Sequence, residues 1–312
     1  MDWRIKALLQ KVLSYTRIGD RLNHLPATLS KKHNENVVNY QLHECLRKFS
    51  LVELNLSKNC NALEIGTGYS LISPIVLHLL GFNSIVTVDI SKDVRFKVLK
   101  KQLNYLKREE FLDKISLVSK FKKSEILNKL DQISRQRSLD DILETCNIKY
   151  LTSYTLESIE KERSIFQYIC SQVVFEHIRP NFLEELNKKT RLWLGEKGYS
   201  VHTVNFIDHF ANPGFFQDKS ISEFNFLKHS DKNWNFWAGN SIAYTNRLSY
   251  LYYLNLFERN SLEVLEFIGE NYRVKKELDI GRIHNDVKSK YNFEIDLEDL
   301  IKFQRGTFVL KG

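Results

Sequence analysis

The period of the apolar positions changes several times along the chain, and each change marks an element. From Ala62 to Ile65 the apolar run is broken only by Glu64, which suits a short strand. Gly66 and Gly68 follow, then an apolar segment at helical spacing from Leu71 to Leu80 that Gly81 stops. A second β-rich run, Ile85 to Val88, ends on Asp89. Strand, glycine turn, helix, strand and terminal acid make one βαβ unit. The expected fold class is therefore α/β, with a doubly wound sheet.

The flanking segments extend this pattern. Trp3, Ile5, Leu8, Leu9, Val12 and Leu13 recur at helical spacing. Pro26 and the polar run Ser30 to Asn36 interrupt it, and a second helix is expected over Val37 to Leu51. A helix is expected from Lys92 to Leu106. Residues 107–145 hold neither Gly nor Pro and are rich in charge, so one or two exposed helices are expected. Ile148 to Leu151, Ile165 to Val174 and Tyr199 to Phe206 read as strands. Asn181 to Leu194 reads as a helix ended by Gly195 and Gly198. Leu262 to Ile268 and Thr307 to Leu310 read as the last two strands, with a helix near Leu297 to Ile301 between them. Residues 210–260 are unusually aromatic and longer than a plain connection between strands, which suggests a substrate lid at the rim of the sheet.

Composition narrows the class. At 312 residues and 43% hydrophobic, the chain can bury a full core and does not have the composition of a disordered segment. The net charge of +8 favours an anionic partner without identifying one. The basic cluster Lys120, Lys122, Lys123, Arg135 and Arg137 has almost no aromatic interleaving, so it reads as a solvated helix face rather than a nucleic-acid surface. Cys45, Cys60, Cys146 and Cys170 have no metal-ligand spacing and read as buried free thiols of a reducing compartment. Neither a signal peptide nor a membrane span is expected, and the protein reads as cytoplasmic.

The glycine turn carries the chemistry. Glycine at 66 and 68 permits a sharp turn and close approach of a ligand, and Asp89 stands where a ribose hydroxyl would be bonded. A dinucleotide fingerprint wants a third glycine where this chain has Leu71. The run Glu64-Ile-Gly-Thr-Gly-Tyr-Ser resembles motif I of the class I S-adenosylmethionine (SAM) dependent methyltransferases, with Ser70 where the last glycine is common. Phe175-Glu-His-Ile-Arg-Pro180 resembles motif IV of that family. Asp208-His209, then Asn225-Phe-Leu-Lys-His-Ser-Asp231 with Trp234, then Asn246-Arg-Leu248 resemble a bacterial subgroup of it. The resemblance covers residues 55–312. It implies a seven-stranded Rossmann-like sheet, an N-terminal helical segment at 1–55 and a methyltransferase domain at 56–312. A charged insertion near 107–147 and a lid near 207–260 interrupt that domain. It implies SAM as cofactor, with Glu64, Gly66, Thr67, Gly68, Asp89, Ile90, Ser153 and Glu176 lining its pocket.

The expected reaction is methyl transfer to an O or N atom of a small molecule or glycan-type substrate. His209 is the first candidate base, Asp208 or Glu176 its orienter, and His177 the second candidate. Tyr40, Trp234 and Arg247 are candidate substrate contacts, with Lys228 beside Arg247 for an anionic group. Asp208, His209 and Asp231 carry no metal-site signature, and no metal is expected. The alternatives are an RNA methyltransferase, favoured only by the basic charge, a non-catalytic SAM-binding protein, and an NAD enzyme, which Leu71 opposes.

Overall fold

A computed structural model describes residues 1–15, 30–53, 60–163, 165–211, 217–273 and 276–312. Pro26, the 55/56 boundary and the turn at Pro213 and Gly214 with Phe215 and Phe216 lie outside the described residues. The strands are β1 (Asn61–Ile65), β2 (Ser84–Asp89), β3 (Ile148–Thr152), β4 (Phe166–Gln172), β5 (Leu194–Asn205), β6 (Glu263–Glu270) and β7 (Arg305–Lys311). They form a seven-stranded sheet in the order β3-β2-β1-β4-β5-β7-β6. β1 pairs in parallel with both β2 and β4, and β2 in parallel with β3. The switch in strand order therefore falls beside β1, at the strand that leads into the glycine turn. In open α/β sheets this is where ligands bind.

Contacts group the chain into two compact units. One comprises His24–Gln172, Lys188–His202 and Val309–Gly312; the other comprises Met1–Asn23, Val173–Asn187 and Thr203–Phe308. The expected N-terminal segment is therefore not one piece. Its first helix, α1 (Trp3–Ser14), groups with the aromatic segment, whereas α2 (Lys31–Ser50) groups with β1 to β4. The α2 helix also begins earlier than its apolar pattern suggested. Ser30 caps it by accepting the N–H of His33, so the polar residues after Ser30 form its first turns.

In the first unit, α3 (Ile72–Leu80) is buried at every position except His78, which is half-buried. It ends where expected, at Gly81, whose φ of 105° is left-handed. The Lys120 side chain lies where a Cβ at Gly81 would stand. After α4 (Phe96–Leu106), the charged stretch forms α5 (Glu109–Val118), α6 (Lys123–Arg135) and α7 (Leu139–Thr145). These three helices replace the one or two exposed ones expected, and they are amphipathic. Phe111, Leu112, Ile115, Ile126, Leu130, Ile133 and Ile142 are all buried in the core. Their apolar residues are spaced at helical intervals among many charges, and that spacing outweighed the charge content. Part of the basic cluster is neutralised locally, since Lys123 bonds Glu109 and Asp113. The α9 helix (Pro180–Trp193; α8 is Leu156–Glu162) stops one residue early, and Gly195 and Gly198 sit within β5.

The second unit has its own aromatic core. Trp3 of α1 is 3% exposed and packs against Phe210, Trp234 and Trp237. Its N–H donates to Asp218 at 3.0 Å. The residues expected to form a lid include α10 (Asp231–Ala238) and α11 (Tyr250–Arg259), two helices the aromatic composition concealed; α12 (Asn285–Lys288) follows β6. The helix expected near Leu297 is a short 3-10 turn at Asp299–Ile301. Among the described residues no helix is long and apolar enough to cross a membrane.

Two outcomes follow from this packing. Gly81→Ala forces a side chain into the left-handed region and should lower unfolding free energy by about 1–2 kcal/mol, read from urea denaturation. Trp3→Ala empties the aromatic core of the second unit and should cost about 3–5 kcal/mol, read from the same experiment.

Candidate functional site

The glycine turn is held by backbone and hydroxyl bonds. Gly66 and Gly68 both have positive φ, 90° and 63°. The N–H groups of Gly66 and Thr67 donate to the carbonyl of Val88 at 2.9 and 3.2 Å. The N–H of Gly68 donates to Oδ2 of Asp89 at 2.7 Å, which ties the turn to the end of β2. A Cβ at Gly68 would meet nothing within 4 Å, so glycine is needed there for its φ, and the space beside it is open.

Beneath the turn, Thr67 Oγ1 and Thr87 Oγ1 are 2.7 Å apart, and the Thr87 hydroxyl donates to Glu64 Oε2 at 2.7 Å. Glu64 and Thr87 are register partners on β1 and β2. Glu64, 6% exposed, thus reaches the turn through two hydroxyls, not by facing its open side. Burial pushes its carboxyl up, opposed by the Ser73 and Thr87 hydroxyls and by the Lys48 charge. Lys48 is buried and donates to the carbonyl of Ser171 at 3.0 Å. It continues the apolar face of Val38, Leu42 and Cys45 on α2, the signal that could have marked it. Ser70 accepts the N–H of Ile72 and donates to Gln102, so the missing third glycine is replaced by a residue with a bonding role.

Beside the turn stand two further cofactor candidates, Ile90 and Ser153. Ile90 is 76% exposed beside Asp89, an apolar surface next to a carboxylate. Ser153, with φ 53°, donates its N–H to the Asp89 carbonyl at 3.0 Å and its hydroxyl to the Ile90 carbonyl at 3.3 Å. Tyr154, given no role from sequence, stands near enough to Asp89 to feel its charge; burial first, then Asp89, pushes its phenol up to about 12. Tyr40 accepts from the Gln172 side chain at 2.9 Å.

Glu176, His177 and His209 belong to the second unit. One potential ligand atom of each lies within 4.8 Å of the others. A 3-10 turn, Phe175–His177, follows β4. Asn246 fixes it: its N–H donates to the Glu176 carbonyl, and its side chain donates to the carbonyls of Phe175 and Ile178. Glu176 is 3% exposed. Its Oε1 accepts a long 3.4 Å bond from the Asn205 N–H, and its Oε2 is buried with no partner. Burial pushes this carboxyl up to about 8.

His177 is bonded through Nδ1 to the Tyr244 carbonyl at 2.8 Å; a carbonyl only accepts, so Nδ1 carries the proton and Nε2 the lone pair. The His209 ring lies 4.9 Å from it, at 66°. Burial, then His177, Lys6 and Arg273, push His209 down to about 3, which keeps it neutral. Lys6, His209, Phe210 and Gln217 line a cavity of about 200 Å³.

Two other expectations meet a different arrangement. Asp208 is fully buried, and its carboxylate accepts from the Phe210 N–H at 2.8 Å and from Asn225 at 3.4 Å, not from the His209 ring it was expected to orient. Asp231 pairs with Arg247 and Lys290. Trp234 and Arg247, expected at a substrate, lie inside the second unit. Trp234 packs on Trp3, Phe210 and Phe226, and the Arg247 side chain, 1% exposed, donates to the carbonyls of Phe226 and His229 and to Asp231. A guanidinium with its donors so committed ties chain segments together. Lys228 is half-buried, and burial lowers its ammonium.

No protein-family model matches the chain, and no curated protein matches it. Solved structures of similar chain path include a SAM-dependent methyltransferase from Methanosarcina mazei, at 10% identity over 84% of this chain and 96% of that one, TM-score 0.46. A SAM-dependent methyltransferase from Mesorhizobium loti matches at 10% identity over 85% and 97%, TM-score 0.43. Geranyl diphosphate C-methyltransferase from Streptomyces coelicolor A3(2) matches at 10% over 88% and 78%, TM-score 0.42.

A buried histidine outside both clusters sets a pH dependence. His202 is 0% exposed, its Nδ1 is 2.9 Å from the Ser171 hydroxyl, and burial with the Lys48 charge holds it down at about 3. Its folded pKa lies below its unfolded value of about 6.5, so between those values only the unfolded chain takes up the proton. Stability is therefore complete above pH 7 and falls on acidification. From pH 6.5 to pH 5 this residue should remove about 2 kcal/mol, and His202→Gln should flatten the slope of the urea midpoint against pH.

Proposed function

We propose that this chain is a SAM-dependent methyltransferase acting on an O or N atom of a small-molecule or glycan-type substrate. The observation that carries the reading is the bond from Gly68 N–H to the Asp89 carboxylate, across a turn with positive φ at both glycines, at the carboxyl ends of β1 and β2. That carboxylate, with its second oxygen bonded only weakly at 3.4 Å by the Ser91 N–H, is the group that would take the ribose hydroxyls. The exposed face of Ile90 would take the adenine ring, with Ser153 and Tyr154 beside it. Leu71, fully buried at the start of α3, opposes the dinucleotide alternative. It fills with a side chain the position where that fingerprint needs glycine for close packing of helix and strand.

The sulfonium of SAM needs no activation by the protein. Transfer requires alignment of the acceptor behind the methyl carbon, exclusion of water, and a place for the acceptor's proton. For the last role we propose His209, whose imidazole burial keeps neutral, with His177 as the second candidate. The acceptor is a hydroxyl or amine, because a neutral proton-handling group is wasted on an acceptor that loses none.

Calorimetric titration tests both halves. Asp89→Ala should weaken SAM binding by tenfold to a hundredfold, about 1.5–3 kcal/mol for a hydrogen bond to a charged group, with the circular dichroism spectrum unchanged. Unaltered SAM affinity in that variant, or tighter binding of NAD than of SAM, contradicts the reading. His209→Ala should lower turnover about 10²–10⁴-fold while SAM affinity stays within about twofold.

A further inference from the structure

We infer that Glu176, His177 and His209 form a binding site for one divalent first-row transition-metal ion. Two imidazoles and one carboxylate are a donor set suited to Zn²⁺, Co²⁺, Mn²⁺ or Fe²⁺ rather than to Mg²⁺ or Ca²⁺, which prefer all-oxygen surroundings. Sequence spacing did not disclose the set. His209 comes from the end of the chain's fifth strand, whereas the other two follow the fourth.

Four observations point to a ligand here. First, Glu176 Oε2 is buried with no partner, and the whole residue is 3% exposed. A buried carboxyl left so either stays uncharged or is met by a cation. Second, His209 Nε2 is likewise buried without a partner. Third, His177 makes the backbone hydrogen bond typical of a metal-ligating imidazole. Its Nδ1–H is held by a backbone carbonyl, Tyr244 at 2.8 Å, which fixes the ring and leaves Nε2 as donor. Fourth, the entry is built: the three residues grade from buried Glu176 through half-buried His209 to exposed His177, and a cavity of about 200 Å³ opens on His209.

Ligand atoms around one such ion stand roughly 3–3.5 Å apart for bonds of about 2.1 Å. The present separation, within 4.8 Å, therefore needs a contraction of up to about 1.5 Å, which side-chain rotation on the 3-10 turn can supply. Lys6 and Arg273 are close enough to influence His209 and oppose a cation, while the Glu176 carboxylate offsets them. Three protein ligands leave coordination positions open, as in metal sites that bind a substrate atom. The group expected there is an oxygen of the acceptor, a hydroxyl or a carboxylate. On the proposed reaction, the ion would take over the acidification of that hydroxyl from an imidazole. The site itself depends only on the three side chains and stands or falls apart from SAM binding.

The test is a Co²⁺ titration of the full chain after dialysis against chelator, read by d–d absorption, with Zn²⁺ competition followed by calorimetry. One equivalent of Co²⁺ with nitrogen-ligand bands, displaced by Zn²⁺, is expected. Glu176→Gln, His177→Gln and His209→Ala should each weaken it by more than the roughly 10–100-fold seen when a hydrogen-bond partner of a ligand is lost. His229→Ala, a histidine of the same unit outside the cluster, should change it less than about twofold. Absence of d–d bands in the unaltered protein overturns the inference, whether or not any variant folds. Binding that survives in a cluster variant with unchanged circular dichroism also overturns it, and so does binding lost equally in His229→Ala. A parallel SAM titration keeps the outcomes distinct: SAM bound and no metal defeats this inference alone, and metal bound with no SAM defeats the proposed function alone.

Discussion

The Asp89 carboxylate accepting the Gly68 N–H is the constraint on which the candidate cofactor site depends. A turn with two residues at positive φ has no regular hydrogen-bond ladder of its own. It is fixed from β2, through the Val88 carbonyl above and the Asp89 side chain at its end. The Thr67–Thr87–Glu64 relay fixes it from below. Each partner stands at a strand end set by the parallel register of β1 and β2, so sheet geometry is transmitted directly to the turn. Preorganisation of this kind lets the turn meet a ligand without an ordering cost at binding.

Buried carboxylates recur in the molecule and are treated in different ways. Glu64 is satisfied by hydroxyls with the Lys48 charge near it. Asp208 is satisfied by a backbone N–H and an amide, and burial pushes it up to about 7. Glu176 alone of these three keeps a buried oxygen without a partner, and two neutral imidazoles stand beside it. An incompletely satisfied carboxyl next to two nitrogen donors is the kind of local inconsistency that marks a site.

The βαβ unit was legible because local signals agree there. An apolar strand, Gly66 and Gly68, an apolar helix ended by Gly81 and a strand ended by Asp89 all appear where expected. The last two strands were also legible from alternation and β-formers. The three helices of 107–145 were visible in their apolar spacing but masked by charge. The aromatics of 210–260 carried no directional information. Composition cannot separate a lid that faces substrate from a second core, and Trp234 with Arg247 proved to be core. Glu176, His177 and His209 were each singled out in the sequence, but as base and orienter and not as a ligand set, because its members come from different strand ends and only the fold assembles them.

The central claim is that the turn from Glu64 to Ser70 and the end of β2 hold SAM. Hydrogen exchange with and without SAM reads this most directly, because Gly66, Thr67 and Gly68 each place a backbone N–H at the turn. Protection confined to the peptides covering residues 63–70 and 86–91 and the loop at 152–155 is the predicted result. Exchange in those peptides that saturating SAM leaves unchanged, in a protein whose remaining amides are as protected as a folded sheet requires, would contradict it.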